Sequence, residues 1–395
     1  MGYNDRNEKK GLTAMKDVVI IGASYLQMPL IEKAKELGYT THVFAWQCGD
    51  VGESAADHFY PISIVEKEAI AEACRGIKPE AVCTISTDLG AVTVNYVANA
   101  LGLPANPPES MIPASNKYEM RRALGEAGIS VPLFFRVRQG EERPDMSALE
   151  YPAIVKPTDR SGSRGVTKIS SAAELDKAIA AAQAVSFEKT AIVEEYIEGT
   201  EYSCESASFH GEHHIIAFTK KFTTNAPYFI ETGHLQPSDL SQALCAKAEK
   251  IIEKALDALS ITDGISHSEF MVTAGGGIKI IEIGARMGGD CIGSHLVRLS
   301  TGVDFVRAAL DISLGIPPRL EKSNTPMAAG VRFIMGRGDM DYLKRLEAKH
   351  PALIYEKRVD IDELDDAVTD SSTRHGYVVL SGKDASEIRE ALELG

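Results

Sequence analysis

Between Ile280 and Asp290 the chain reads I-I-E-I-G-A-R-M-G-G-D, and thirteen residues before its glutamate stands a second carboxylate, Glu269, in S-H-S-E-F-M-V. Glu269 and Glu282 both interrupt otherwise apolar, strand-like runs. A carboxylate in such a place is costly to bury unless it is paired or binds a cation. Two hard oxygen donors that also meet phosphate oxygens are the usual way of holding Mg²⁺. Arg286, four residues past Glu282, carries a fixed positive charge suited to a transferring phosphoryl group or an acyl-phosphate oxyanion. A plain salt bridge from Arg286 to one glutamate is the structural alternative. The combination points to ATP chemistry.

Two other stretches carry residue types of the same kind. Lys156 closes an apolar run and opens K-P-T-D-R-S-G-S-R-G-V, where Ser161, Gly162, Ser163 and Gly165 allow the backbone to come close to phosphate oxygens. The spacing is not that of a P-loop, since G-x-x-x-x-G-K-[ST] is absent, and an ordinary glycine-serine loop is the competing reading. E-E-Y-I-E-G-T-E, from Glu194 through Glu195, Tyr196 and Ile197 to Glu201, runs out of a strand into a charged turn. It is either a solvated sheet edge or a segment that offers backbone groups to a purine while Glu201 accepts from ribose hydroxyls.

The elements that must position these residues are legible from periodicity. Apolar runs at 18–22 and 41–44 flank a helical pattern ending at Leu37-Gly38, the order of a parallel β-α-β unit. A run at 81–85 leads through Ser86-Thr87-Asp88 into a helix stopped by Gly102, and open α/β sheets place ligands at such carboxyl ends. Gly22 lacks the further glycines of a dinucleotide fingerprint, so a strand-to-helix turn is expected there. A helix at 116–127 takes Ser115 as its N-cap and Gly128 as its stop, and S-A-A-E at 171–174 opens another. Strands are expected at 153–156, 191–196, 202–209, 213–219, 269–273 and 278–283, with a helix at 239–259. Ala274-Gly275-Gly276-Gly277 reads as a hairpin turn. Past Pro317-Pro318, strands at 327–335, 352–355 and 376–381 and a final helix make a small α+β unit.

At 395 residues the chain exceeds one compact core. A formal charge of -14 argues against a general nucleic-acid or anionic-membrane surface. Six scattered cysteines form no zinc or CxxC spacing, as in a reduced cytoplasmic protein. No apolar run reaches membrane-spanning length, and the polar first fifteen residues lack a signal-peptide core. They read as a frayed tail preceding an internal start at Met15. Ala14-Met15-Lys16 lacks the methionine that follows the lysine in a biotinylation site.

Taken in order, Lys117, Lys156, the Ser161 to Gly165 loop, the Glu194 to Glu201 segment, Glu269, Glu282 and Arg286 resemble the ATP-grasp superfamily. The resemblance covers most of the chain and implies a mixed α/β and α+β architecture. Its parts would be a flexible tail (1–15), a doubly wound pre-ATP-grasp domain (16–112), and an ATP-grasp domain (113–320) made of an ATP lobe (113–193) and a central lobe (194–320). A C-terminal α+β unit (321–395) would complete the chain. It also implies ATP held between two lobes: Lys117 and Lys156 on its phosphates, the glycine loop above them, the Glu195 to Ile197 backbone at adenine and Glu201 on ribose. Glu269 and Glu282 would hold one or two Mg²⁺ ions, or Mn²⁺ in their place. Many members carry asparagine two residues after the second glutamate, where this chain has Gly284.

Within the superfamily, Lys220 to Pro237 is similar to the amino-acid ligases and the biotin-carboxylase-like proteins. That likeness puts Lys220 or Lys221 at the γ-phosphate and His234 at the substrate or acyl phosphate. The implied activity is ADP-forming ligation of a small polar carboxylate to an amine, in a cytoplasmic protein for which a homodimer is allowed. Activation of bicarbonate or formate is the enzymatic alternative, and ATP binding without turnover is the non-catalytic one.

Overall fold

The computed structural model describes residues 16–224, 229–323, 325, 327–360, 364 and 367–393. The N-terminal tail, with Ala14 and Met15, and the stretch Asn225 to Tyr228 lie outside the described residues.

The N-terminal part is a parallel sheet. Strands β1 (Lys16–Ile21), β2 (Tyr39–Phe44), β3 (His58–Tyr60) and β4 (Ala81–Cys83) alternate with helices α1 (Met28–Glu36), α2 (Val51–Ala55) and α3 (Lys67–Ile77), and α4 (Asp88–Leu101) follows. The order is β3-β2-β1-β4, all parallel. Val18 to Ile21 are fully buried because helices cover both faces. The order reverses between β1 and β4, and the loops after β1, β2 and β4 open at that switch point.

Helix α5 (Lys117–Glu126) leads into a second sheet of β5 (Phe134–Arg138), β6 (Ala153–Pro157), β7 (Thr167–Ile169) and β8 (Thr190–Glu195), ordered β5-β8-β6-β7 and backed by α6 (Leu175–Val185). The N-cap of α5 is Asn116, whose side chain accepts from the Tyr118 and Glu119 N–H groups; Ser115 is spent instead on the Met111 carbonyl. Gly102 and Gly128 stop their helices in left-handed conformation, as their positions predict.

The central sheet has eight strands: β9 (Thr200–Phe209), β10 (Glu212–Thr223), β11 (Glu231–Gln236), β12 (Gly264–Val272), β13 (Ile278–Gly284), β14 (Ala328–Phe333), β15 (Ile354–Val359) and β16 (Gly376–Gly382). Their order is β13-β12-β9-β10-β11-β14-β16-β15. Helix α7 (Gln242–Ala258) packs on one face, and α8 (Val297–Thr301) and α9 (Phe305–Ser313) join it to the N-terminal sheet. The triple glycine turns β12 into β13, with Thr273 N–H donating to the Gly277 carbonyl at 2.9 Å. The three C-terminal strands, with α10 (Asp339–Lys349) and α11 (Ala385–Leu392), extend this sheet rather than forming a sheet of their own. The signal for that continuation is β11, whose register against β14 begins at Gly233 opposite Arg332. The expected strands omitted β11, so the pairing partner of β14 was missing.

Candidate active site

The floor of the site lies where the four-stranded antiparallel sheet meets the central sheet. Glu194 on β8 is fully buried and receives Arg121 Nε at 2.6 Å and Lys156 Nζ at 2.6 Å. Burial alone would raise its pKa, but the two cations hold the carboxyl at about 2. Burial, together with Arg121 and Lys117, pulls the Lys156 ammonium below the ordinary lysine range even though Glu194 opposes it. Arg121 also donates to the Ile281 carbonyl, tying the two sheets together. Glu194 thus sits in an ion triad at the cavity floor, not on a solvated edge.

Above this floor a cavity of about 490 Å³ opens between the sheets. Lys117, Lys156, Ser161, Gly162 and Ser163 line one side; Glu194, Glu195, Tyr196 and Ile197 line the end. Glu201, Lys221, Glu269, Glu282 and Arg286 form the other wall. Gly165 lies behind the wall: its φ is +71°, and a Cβ there would come within 2.6 Å of Val185, so packing at the base of the loop accounts for the glycine.

The two acidic positions singled out by sequence are cross-strand neighbours, Glu269 opposite Glu282 in the β12–β13 register. Each is met by a lysine from another element. Lys117 Nζ donates to Glu282 Oε1 at 2.8 Å and Lys221 Nζ to Glu269 Oε1 at 2.6 Å. Lys221 also lies 2.6 Å from Glu201 and 3.6 Å from Glu231. Burial would lower its pKa, but three carboxylates drive it well above the usual value. Burial likewise opposes ionisation of Glu269, and Lys221 with His267 nevertheless holds it well below the carboxylate range. Glu201 is raised by its burial and by Glu269, despite Lys221.

Lys220 points to the opposite face of β10, as alternation along a strand requires. Its ammonium sits 2.6 Å from Asp239, and it does not line this cavity. Of the two lysines, Lys221 lines this cavity and Lys220 makes an ion pair on the opposite face of β10.

Arg286 is bound bidentately by Asp88, Nε to Oδ1 at 2.8 Å and Nη2 to Oδ2 at 3.2 Å. Its counter-ion is not one of the metal-type glutamates but a residue from the start of α4. This pair explains Gly284. A Cβ at 284 would lie 2.8 Å from Asp88 Oδ1 and 3.1 Å from Arg286 Nε, so a side chain there, asparagine included, would displace the arginine's partner.

A second cavity of about 510 Å³ adjoins the first, sharing Ser161, Gly162, Lys221, Glu269 and Arg286 as its wall. It opens at the switch point of the parallel sheet, with Gly22, Ser24, Trp46 and Ser86 to Asp88 on that side. Glu231 lines both cavities, and His234, Asp290 and Arg374 stand on the other side of the second. His234 is almost fully buried, neither ring nitrogen makes a hydrogen bond, and Nε2 is 3.9 Å from Asp290. Burial lowers its pKa and favours the neutral imidazole. Asp290 holds φ +54° and is ion-paired with Arg374, which keeps it well below the usual carboxylate range against its burial. Strained backbone of this kind gathers at functional sites, and Ser86 (φ +60°) and Ser163 (φ +59°) stand on the same walls.

Asp88 was singled out from sequence only as lying at a strand end where ligands are placed, and Glu231, His267 and Arg374 were not singled out. His267 had a signal, being two residues before Glu269 on one strand face. Arg374 had none, since it meets Asp290 across 84 residues.

Residues 149–294, which contain the loop, the acidic pair and Arg286, match the family model of the ATP-grasp domain. The chain carries an ATP-grasp domain. Similarity extends along most of the fold: the solved L-amino acid ligase from Bacillus licheniformis superposes with a TM-score of 0.78 at 22% identity, over 95% of this chain and 96% of that one. Among curated relatives, the alanine–anticapsin ligase of Bacillus subtilis is 28% identical over 297 residues, 67% of this chain and 62% of that protein. Carnosine synthase 1 of Gallus gallus is 24% identical over 341 residues, 79% of this chain and 36% of that protein. The chain spans less than two thirds of the length of these curated relatives. Among the described residues, no helix is long and apolar enough to cross a membrane.

Proposed function

We propose that this ATP-grasp protein is an ADP-forming carboxylate–amine ligase. The observation that carries the reading is the pair of adjoining cavities with one charged wall, Lys221, Glu269 and Arg286, between them. The first has the lining a nucleotide triphosphate needs: Lys117 and Lys156 for phosphates, a serine-glycine loop, and the Glu195 to Ile197 segment for the base, with Glu201 near the ribose. The second, polar and opening at the switch point of the parallel sheet, suits a small carboxylate and an amine.

A substrate carboxylate oxygen in the second cavity would attack the γ-phosphorus, forming an O–P bond as the bond to the β–γ bridging oxygen breaks and ADP leaves. Amine attack on the acyl phosphate then forms the C–N bond, and phosphate departs with the C–O electron pair while the nitrogen loses a proton. The enzyme's work is positioning and charge neutralisation, and no side-chain nucleophile is required. Arg286, oriented by Asp88, and Lys221 would offset charge developing on the transferring group. His234, whose burial favours the neutral imidazole and whose Nε2 lies 3.9 Å from Asp290, lines the second cavity beside the place proposed for the substrate.

The donor set fits a divalent cation in the way Mg²⁺ is usually held. Among the described residues no cluster of three or more His, Cys, Asp or Glu side chains is gathered for a metal, whereas Glu269 and Glu282 stand side by side where nucleotide phosphates would complete the ligand shell. Held by these two carboxylates, the ion would neutralise phosphate charge. The alanine–anticapsin and L-amino acid ligases among the relatives support amino acids as the substrate class.

The test is ADP release by the purified full chain with Mg²⁺-ATP and a panel of amino acids, run with hydroxylamine as the trapping nucleophile. Hydroxamate formed from one amino acid is the expected result. ADP release that answers only to bicarbonate or formate would move the protein to the carboxylase-type alternative. No release with any member of the panel would leave nucleotide binding alone.

A further inference from the structure

A buried chain of polar groups beneath the shared wall is used by none of the steps above. Glu205 lies in β9 with no exposed surface, a position where a carboxylate is costly unless fully partnered. One oxygen accepts the Gly288 backbone N–H at 2.8 Å, and the other meets His267 Nδ1. His267 stands directly opposite Glu205 in the β9–β12 register. Its other nitrogen, Nε2, lies 3.2 Å from Glu269 Oε1, on the same face of β12 two residues on. The strands thus bring these three side chains into line, and the loop after β13 closes the line at Gly288.

Two further details fit a linkage rather than incidental packing. A Cβ at Gly288 would come within 2.6 Å of Glu205 Oε1 and 2.7 Å of His267 Nδ1, so the loop reaches these groups only as glycine. On Glu269, Lys221 and His267 both converge on Oε1, and among the described residues no donor is directed to Oε2. One oxygen is fixed from behind and the other is left for a ligand.

We propose that Glu205 and His267 are positioning residues: they hold Glu269 as a cation ligand and tie it to the loop at 286–291, so that the nucleotide cavity and the Arg286–Asp290 side of the second cavity are set together. The proposal rests on the reading of Glu269 and Glu282 as cation ligands. His267 is the link, since both ring nitrogens are engaged and the imidazole cannot turn without losing one partner. Outer partners of metal ligands commonly tune metal affinity roughly ten- to a hundredfold.

The test measures binding of the non-hydrolysable nucleotide AMP-PNP to the full chain by calorimetry over a range of Mg²⁺ concentrations, alongside amide hydrogen exchange in residues 286–291. Glu205→Gln and His267→Asn should need roughly ten- to a hundredfold more Mg²⁺ for half-maximal enhancement, with metal-free nucleotide affinity unchanged. His267→Gln, whose amide reaches the Nε2 position, should recover part of the response. Nucleotide with Mg²⁺ should slow exchange at 286–291 in the wild type and not in Glu205→Gln. Should His267→Asn fail to fold, Gly288→Ala, which forces the loop off Glu205, should show the same Mg²⁺ deficit.

A wild-type Mg²⁺ response in Glu205→Gln and Gly288→Ala overturns the proposal, as does an equal loss of metal-free nucleotide affinity, which marks a general packing defect. Glu282→Gln separates the two levels. If it abolishes the Mg²⁺ response while the Glu205 and His267 variants keep theirs, the linkage alone is wrong. If the wild type shows no Mg²⁺ response, the cation reading and the linkage fail together.

Discussion

Glu194→Gln tests the ion triad on which the first cavity rests. The carboxyl falls from an ordinary 4.5 to about 2 on folding, since Arg121 and Lys156 outweigh the cost of burial. At about 1.4 kcal/mol per unit, that is about 3 kcal/mol of stability at neutral pH. The sign follows from the lowered folded-state value. The stabilisation is complete above roughly pH 5, declines as pH falls through the window between the two values, and is down by about 2 kcal/mol at pH 3. Glutamine removes the negative charge and leaves Arg121 and Lys156 buried without it, and breaking a buried pair in this way costs about 3–5 kcal/mol. Lys156, already held below the ordinary lysine range by its burial, should lose its proton more readily and bind phosphate less well. The assay is urea unfolding followed by circular dichroism at pH 7 and pH 3, with ADP affinity measured on the same samples. A variant within about 1 kcal/mol of wild type at pH 7, or one with the same acid-dependent loss, would refute this account of the triad.

Lys221→Met should lower ligase turnover at least about a hundredfold, the scale expected for removing a charge-stabilising group at a reacting centre, whereas Lys220→Met should stay within about twofold because its ammonium faces Asp239; steady-state ADP release compares them, and equal effects would contradict the strand alternation. Gly284→Asn, which introduces the residue that the resemblance leads one to expect there, should reduce activity rather than improve it, because the new side chain meets the Asp88–Arg286 pair; higher turnover would show that the pair is dispensable. Asn116→Ala should cost about 1 kcal/mol by loss of the α5 N-cap, measured as a lowered urea midpoint, while Ser115→Ala should not act through that cap.

Local signals carried much of this structure into the sequence, and long-range ones did not. Apolar runs and glycine stops located β1, β2, β4, α5 and the β12–β13 hairpin, because each depends on neighbours a few residues away. Glu269 and Glu282 were conspicuous for the same reason, a charge set within an apolar run. The face of Lys220 or Lys221 could not be read from K-K alone, since both flanks are mixed and the register of β10 decides. Asp88 meets Arg286 across 198 residues and Arg374 meets Asp290 across 84; such pairs leave no trace in spacing. The three C-terminal strands looked like a separate unit because the partner they extend, β11, was hidden in a polar segment.

Gly284 has a consequence for how this molecule can be divided. The space beside its Cα is filled by a carboxylate from the head of α4, and that carboxylate aims the arginine. Excising the segment from 113 onward would keep Glu269, Glu282 and the glycine loop but leave Arg286 without its counter-charge. Exchanging the N-terminal part for one from another ATP-grasp protein would do the same unless an acid came with it at the head of α4. The stretch that carries Arg286 is therefore not separable from α4 without loss of that pair, and a chimera would have to inherit residue 88 together with the glycine that makes room for it.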